Sequence, residues 1–342
     1  VKALVLTAYK QLEIQDVPVP EPGAGEILVR VKACGICGSD VHGFDGSTGR
    51  RRPPIIMGHE ASGVVAKTGE GVTQFRPGDR VTFDSTIYCG RCEFCRQGRV
   101  NLCDNRRVLG VSCAEYRRDG AFAEYVVVPE HIAYRLPDSV SFEQAALIEP
   151  LSVALHAVDR GDLRLGETVL VIGGGMIGSL IVQLVKVAGA SDIVVLEPDP
   201  FRQELVRRAG ATAVFSPHES WREELSKGTG GKRITLVFDA VGIDETVRSA
   251  VENVEKGGRV VLVGNLAPQT TLLLQAVVTR ELTLLGSCAS QGDYPRCLDL
   301  LARGVVTVDP LISAVAPLEE GPYWFDQLYQ RKQPLLKVIL RP

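Results

Sequence analysis

Residues 168–178 read TVLVIGGGMIG. The run TVLVIG (168–173) is apolar without polar alternation, the pattern of a strand covered on both faces. The following GGMIGSLIVQLVKVAGA places apolar residues at helical spacing. Gly173, Gly175 and Gly178 form G-x-G-x-x-G at the junction. Taken alone, such a pattern is an ordinary glycine-rich turn. Between a strand and a helix it has a mechanism: the first glycine permits the tight turn, the second lets backbone approach a pyrophosphate, and the third lets helix pack on strand. The helix N-terminus then offers N–H groups and positive dipole to the phosphates. Ile177, inside the fingerprint, is grouped with the three glycines as a cofactor contact. Glu197 lies nineteen residues past Gly178, at the end of the next expected strand. An acid there accepts hydrogen bonds from ribose hydroxyls and repels a 2′-phosphate, which favours NAD over NADP. Arg202 is expected near the adenine, with a 2′-phosphate as its second option.

Outward from this motif, short apolar strands are expected at 192–196, 213–215, 234–238, 259–263 and 281–285. Helical segments at 201–210 and 244–254 separate them. That alternation predicts an α/β, doubly wound parallel sheet. Residues 1 to about 150 read differently: EILVRVKAC (26–34), GHEASGVVAK (58–67) and GAFAEYVVVP (120–129) are β-branched runs bounded by Gly and Pro. After the sheet come expected helices near 293–303 and 318–330 and a last strand at 335–340.

The chain has 342 residues, enough for two domains at roughly 150 residues each. Its 41 acidic and 38 basic residues leave a net charge of −3, which excludes nucleic-acid binding by bulk positive charge. No apolar stretch reaches the ~18 residues of a membrane span. The first sixteen residues alternate like a strand rather than forming a signal-peptide core. A cytoplasmic protein with no membrane partner is expected.

Nine cysteines are present. Cys89, Cys92, Cys95 and Cys103 run C-x2-C-x2-C-x7-C, and four thiolates so close can wrap one tetrahedral Zn²⁺. Disulfides fit poorly with the expected reducing compartment. An iron–sulfur cluster also takes four cysteines, but a chain with a dinucleotide site already has a redox carrier. A closed four-thiolate site has no open position, so its role is structural. Three other clusters, GICGSDVH (35–42), GHE (58–60) and IEP (148–150), place Cys37, His59, Glu60 and Glu149 beside Gly or Pro turns. Any one of them alone is an ordinary turn residue. Together they are a candidate catalytic zinc set. One thiolate, one imidazole and one carboxylate neutralise the dication, and a second carboxylate would overshoot. Three ligands at a time are expected, with Glu149 transient or holding a water.

These motifs resemble the zinc-containing medium-chain dehydrogenase/reductases along essentially the whole chain, through GICGSDVHGF, IIMGHEASGVVAKTGEGV, PGDRV, the cysteine ladder, DGAFAEYVVVP, LIEPLSVALHAV and VLVIGGGMIG. The Cys-His-Glu set with Glu149 is similar to the sorbitol and threonine dehydrogenase branch. The resemblance implies a GroES-like catalytic domain at 1–150 and 288–342 around a Rossmann domain at 151–287. It also implies Val263 and Gly264 near the nicotinamide, a homodimer or homotetramer, and two zinc ions per chain. The expected reaction is hydride transfer from a zinc-activated secondary alcohol (a polyol, sugar or sugar acid) to NAD⁺. The proton would leave through Ser39 and His42, two and five residues past Cys37; the plainer roles are a turn cap for Ser39 and a ribose contact for His42. A threonine-type substrate, a zinc-free NADPH enone or quinone reductase and a non-enzymatic nucleotide-binding protein are the alternatives. Where sorbitol dehydrogenases carry Tyr and an Arg-Tyr pair, this chain has Gly43, Ala289 and Ser290, which predicts a wider pocket. Arg50, Arg51 and Arg52 could read an anion on the substrate, although a solvated basic loop is the simpler expectation.

Overall fold

The computed structural model describes residues 1–342 except 219, 229, 230 and 232. It divides into two compact units, Val1–Glu149 with Ser290–Pro342, and Pro150–Ala289.

Pro150–Ala289 is built on a six-stranded parallel sheet in the order Ala213–Phe215, Asp192–Leu196, Thr168–Ile172, Leu236–Asp239, Arg259–Leu262, Thr283–Gly286. All five residues of Thr168–Ile172 are buried, as an unbroken apolar run in a doubly covered sheet requires. Strand order reverses between Thr168–Ile172 and Leu236–Asp239, the kind of switch point beyond whose strand ends α/β sheets bind ligands. Helix Met176–Val187 leaves directly from that point. Helix Pro200–Ala209 is set by its caps: Asp199 accepts from the Arg202 N–H (3.0 Å), Pro200 starts the first turn, and Gly210 closes it at φ +117°. Two further helices, Trp221–Gly228 and Leu274–Thr279, were not expected. Both are short, and their apolar spacing covers barely two turns.

The fingerprint glycines are dictated by space. Gly173 has φ +94°, and a Cβ there would lie 2.6 Å from Val241 Cγ2. A Cβ on Gly178 would lie 1.8 Å from the Gly173 carbonyl oxygen. The helix therefore packs against the end of the strand only because both side chains are missing.

The other unit carries a seven-stranded sheet. Along it run Ala133–Arg135, Arg80–Phe83, Glu60–Thr68, Glu26–Gly35, Lys337–Arg341 and Ile312–Pro317, with Tyr125–Pro129 also paired to Glu26–Gly35. Its core gathers Ile27, Val29, Val31, Met57, Phe83, Phe122, Phe325 and Val338, among others. Gly35 faces Glu60 on one side and Ile339 on the other. This register brings Glu60 and Lys337, 277 positions apart, to one place. The strand expected from 120 starts only at Tyr125. The N–H groups of Gly120, Ala121 and Phe122 are taken by the carbonyls of Ile56, Gly58 and Met57, so this stretch crosses the 56–58 turn instead of extending the sheet.

Overpacking of this kind destabilises by about 1–3 kcal/mol. Gly178→Ala should lower the melting temperature by roughly 3–10 °C, and scanning calorimetry of variant and wild type checks it.

Candidate functional site

Cys37 closes the N-terminal end of the short helix Gly38–Gly43, accepting from the Ser39 N–H (3.4 Å) and the Ser39 hydroxyl (3.3 Å). His59 and Glu60 lie at the start of strand Glu60–Thr68. One donor atom each from Cys37, His59 and Glu60 lies within 4.8 Å of the others. Thiolate, imidazole and carboxylate at that separation suit Zn²⁺. Glu149 is not in this group. It sits in the first turn of helix Ile148–Gly161, half-buried, accepting from the Ser85 hydroxyl (3.1 Å).

Charges around the three donors are arranged in pairs. Asp40 is fully buried, and its Oδ2 lies 3.4 Å from His59 Nδ1. Its Oδ1 accepts from Arg51 Nε (3.1 Å) and Nη2 (2.9 Å). Lys337 Nζ donates to Glu60 Oε2 (2.5 Å) and to the Ile36 carbonyl (3.0 Å). Burial by itself would raise the Asp40 pKa, but the His59 and Arg51 charges outweigh it and hold the carboxyl well below the usual carboxylate range. Burial opposes charge on His59 as well, yet Asp40 and then Cys37 raise its pKa well above the ordinary imidazole value. Anionic surroundings that favour a proton on His59 favour a dication in its place. Lys337 is likewise raised, Glu60 and Cys37 overcoming its desolvation. Enclosure is the main force raising Glu149, with the like charge of Glu60 adding to it.

The cysteine ladder converges too. Cys89, Cys92, Cys95 and Cys103 bring their sulfurs within 4.8 Å of one another, and none of the nine cysteines is disulfide-bonded among the described residues. Backbone N–H groups of Arg91 and Cys92 pull Cys89 down to about 6, whereas desolvation and neighbouring thiols push Cys95 up to about 12. Four crowded thiols cannot all ionise unaided, and a dication removes that conflict.

In the parallel-sheet unit, Glu197 is buried and accepts from the Gly174 N–H (2.6 Å) and the Asp199 N–H (2.9 Å). A Cβ on Gly175 would meet only Arg202 Nη1, at 3.9 Å, so backbone is open to a close approach there. Val263 and Gly264 follow strand Arg259–Leu262, both donating to the Asp239 carbonyl (3.0 and 2.9 Å). Ile177 lies in the first turn of helix Met176–Val187.

Two expectations need correction. Arg51 is not a solvated loop residue and cannot read a substrate anion, because its guanidinium is buried and spent on Asp40 and Ser39. Nor does Gly43 widen a pocket, since a Cβ there would lie 2.3 Å from Arg51 Cγ. Ser39 and His42 are both exposed, one turn apart on their helix, and share no hydrogen bond among the described residues. Asp40, Ser85 and Lys337 were overlooked in the sequence. A lysine inside the apolar run LLKVIL was the available signal for Lys337.

The chain matches the alcohol dehydrogenase GroES-like domain over residues 23–138 and the zinc-binding dehydrogenase domain over residues 177–303. It is 34% identical to the sorbitol dehydrogenase of Bacillus subtilis, covering 100% of this chain and 97% of that protein. A Sinorhizobium meliloti structure described as a zinc-binding dehydrogenase bound to NADP superposes with TM-score 0.89 at 35% identity, covering 100% of this chain and 99% of that one. The rspB alcohol dehydrogenase of Escherichia coli, complexed with NADH, gives TM-score 0.92 at 31% identity, again over 100% and 99%. The chain belongs to the zinc-containing medium-chain dehydrogenase/reductase family. Its place is in the sorbitol and polyol branch.

Asp84, one residue before Ser85, is pushed up to about 7, chiefly by burial and further by Glu149 and Asp293. A carboxyl whose folded pKa is raised is favourable in its protonated form and loses stability as pH rises from the unfolded pKa, about 4, through the folded one. Asp84→Asn keeps an acceptor for the Thr86 N–H, which donates to Asp84 at 2.8 Å. The variant should melt higher than wild type at pH 8, by an amount that shrinks to nothing below about pH 4; paired melting curves across that range check it.

Proposed function

We propose that this protein is an NAD-dependent zinc polyol dehydrogenase, oxidising a secondary alcohol of a polyol, sugar or sugar acid reversibly. The observation that carries the reading is the Cys37, His59 and Glu60 donor cluster in a chain that also carries the dinucleotide fingerprint. Those three residues would hold the catalytic ion, and Cys89, Cys92, Cys95 and Cys103 a structural one. When bound, zinc supplies the Lewis acidity that lets a hydroxyl ionise near neutral pH, and the nicotinamide accepts the hydride.

The chain's own residues do the rest. Ser39, exposed and 3.3 Å from Cys37 Sγ, accepts the substrate proton as it gives up its own, and His42, one turn on, takes up that proton and passes it to solvent. Glu149, within reach of the Glu60 and His59 charges, serves as the alternate carboxylate. Gly173, Gly175, Ile177 and Gly178 seat the pyrophosphate, and Val263 and Gly264 border the nicotinamide. Glu197, fixed by two backbone N–H groups, accepts the ribose hydroxyls and disfavours a 2′-phosphate. Arg202 is the residue that would favour one, so Glu197→Ala should erode the preference for NAD⁺ in kcat/KM ratios that are at least tenfold in wild type.

A homo-oligomer working in a reducing, cytoplasmic setting completes the reading. Strand Thr283–Gly286 is an edge strand of its sheet, the helix just before it exposes Leu274 and Val278, and nine cysteines outside any disulfide suit such a compartment. No helix among the described residues is long and apolar enough to cross a membrane.

Wild type should bind two zinc ions per chain and turn over members of a polyol, aldonate, sugar-phosphate and amino-alcohol panel with NAD⁺. Cys37→Ser should lose one zinc and at least a thousandfold in kcat while still binding NADH. Cys92→Ser should lose the other zinc and melt lower, with its folded fraction still active. Full turnover by zinc-free Cys37→Ser would refute the reading.

A further inference from the structure

Three consecutive arginines behave differently. Arg50 and Arg52 are exposed, whereas Arg51 is 4% exposed. Backbone bonds hold this loop to residue 112: Ser112 N–H donates to the Arg50 carbonyl (3.1 Å) and Arg52 N–H to the Ser112 carbonyl (3.0 Å). With its backbone pinned, Arg51 runs inward past the helix Gly38–Gly43. Its guanidinium donates to Asp40 Oδ1 through Nε and Nη2, to Ser39 Oγ through Nη2 (3.3 Å), and to the Arg50 carbonyl through Nη1 (3.2 Å).

The route exists because of Gly43. This glycine is helical and has no positive φ, so backbone freedom does not explain it. What it provides is room: a Cβ at 43 would lie 2.3 Å from Arg51 Cγ and 3.2 Å from Arg51 Cβ.

We propose that Arg51, admitted by Gly43, is a positioning residue of the candidate metal centre, one guanidinium setting the groups behind two ligands at once. Through Asp40 it orients the His59 ring, whose Nδ1 faces Asp40 Oδ2. Through Ser39 it sets the hydroxyl that donates to Cys37 Sγ. A planar fork suits this double duty, because its N–H groups diverge at fixed angles, and a lysine ammonium cannot span both acceptors in the same way. The inference rests on reading Cys37, His59 and Glu60 as a metal site. Outer partners of metal ligands are typically worth 10–100-fold in metal affinity.

The test compares wild type, Arg51→Met, Arg51→Lys and Gly43→Ala as zinc-loaded full chains. Zinc release to a chelator is followed, with the four-cysteine zinc as internal reference, and cobalt-substituted samples report ligand geometry by visible absorption. Arg51→Met should release the catalytic zinc about 10–100-fold more readily and alter the cobalt spectrum, while the four-cysteine zinc is released at the wild-type rate. Gly43→Ala, which removes no polar group, should reproduce both changes, and Arg51→Lys should restore part of the retention. Should Arg51→Met fail to fold, Gly43→Ala and Arg51→Lys decide the matter by the same readouts. Wild-type zinc release and an unchanged cobalt spectrum in Gly43→Ala or Arg51→Met would overturn the positioning role. A wild-type chain that binds only the four-cysteine zinc would instead overturn the metal-centre reading beneath it.

Discussion

Burying charge is the constraint on which the candidate metal site is built. Asp40, Arg51, His59, Glu60 and Lys337 are each at least nine-tenths buried, and an isolated ion so placed would carry a penalty of several kcal/mol. None is isolated. Asp40 stands between Arg51 and His59, and Glu60 is held by Lys337. Asp40 and His59 both lie in the ligand segments and Arg51 on the loop between them, whereas Lys337 comes from a strand 277 positions after Glu60. The arrangement therefore requires the loop at 50–52 and the strand Lys337–Arg341 to be in register before the ligands can be. Strand pairing through Gly35 sets that register.

Lys337 also changes the charge arithmetic of the donor set. One thiolate and one carboxylate already neutralise a dication, and on that count a second carboxylate is surplus. A buried ammonium against Glu60 supplies a further positive charge, which also opposes the rise that burial imposes on the Glu149 pKa.

Legibility in the sequence followed locality. The glycines at 173 and 178 could be read because a steep steric requirement acts over a few residues, and the cysteine ladder because its four converging sulfurs lie within fifteen positions. The alternation of strands and helices after 168 was equally plain, since packing against a covered sheet imposes it element by element. Arg51 misled for the opposite reason. Its neighbours Arg50 and Arg52 are solvent residues, and nothing in RRRPP distinguishes the middle one. Gly43 looked like an absent side chain, and only the path of Arg51 shows what occupies its space. Asp40 lies within GICGSDVH, where nothing local marks a carboxylate that is buried between Arg51 and His59.

Pairing of the late strand with the early one also has a temporal meaning. Glu60 emerges during synthesis 277 residues before Lys337. At 5–20 residues per second that interval is roughly 14–55 s. Throughout it the nascent chain holds Cys37, His59 and Glu60 with neither the ammonium that partners Glu60 nor the strand that borders Gly35. Pro150–Ala289 emerges whole within the interval, with every strand of its sheet. The topology thus fixes an order of synthesis: the inserted unit is complete before the strand that carries the partner of Glu60 has been made.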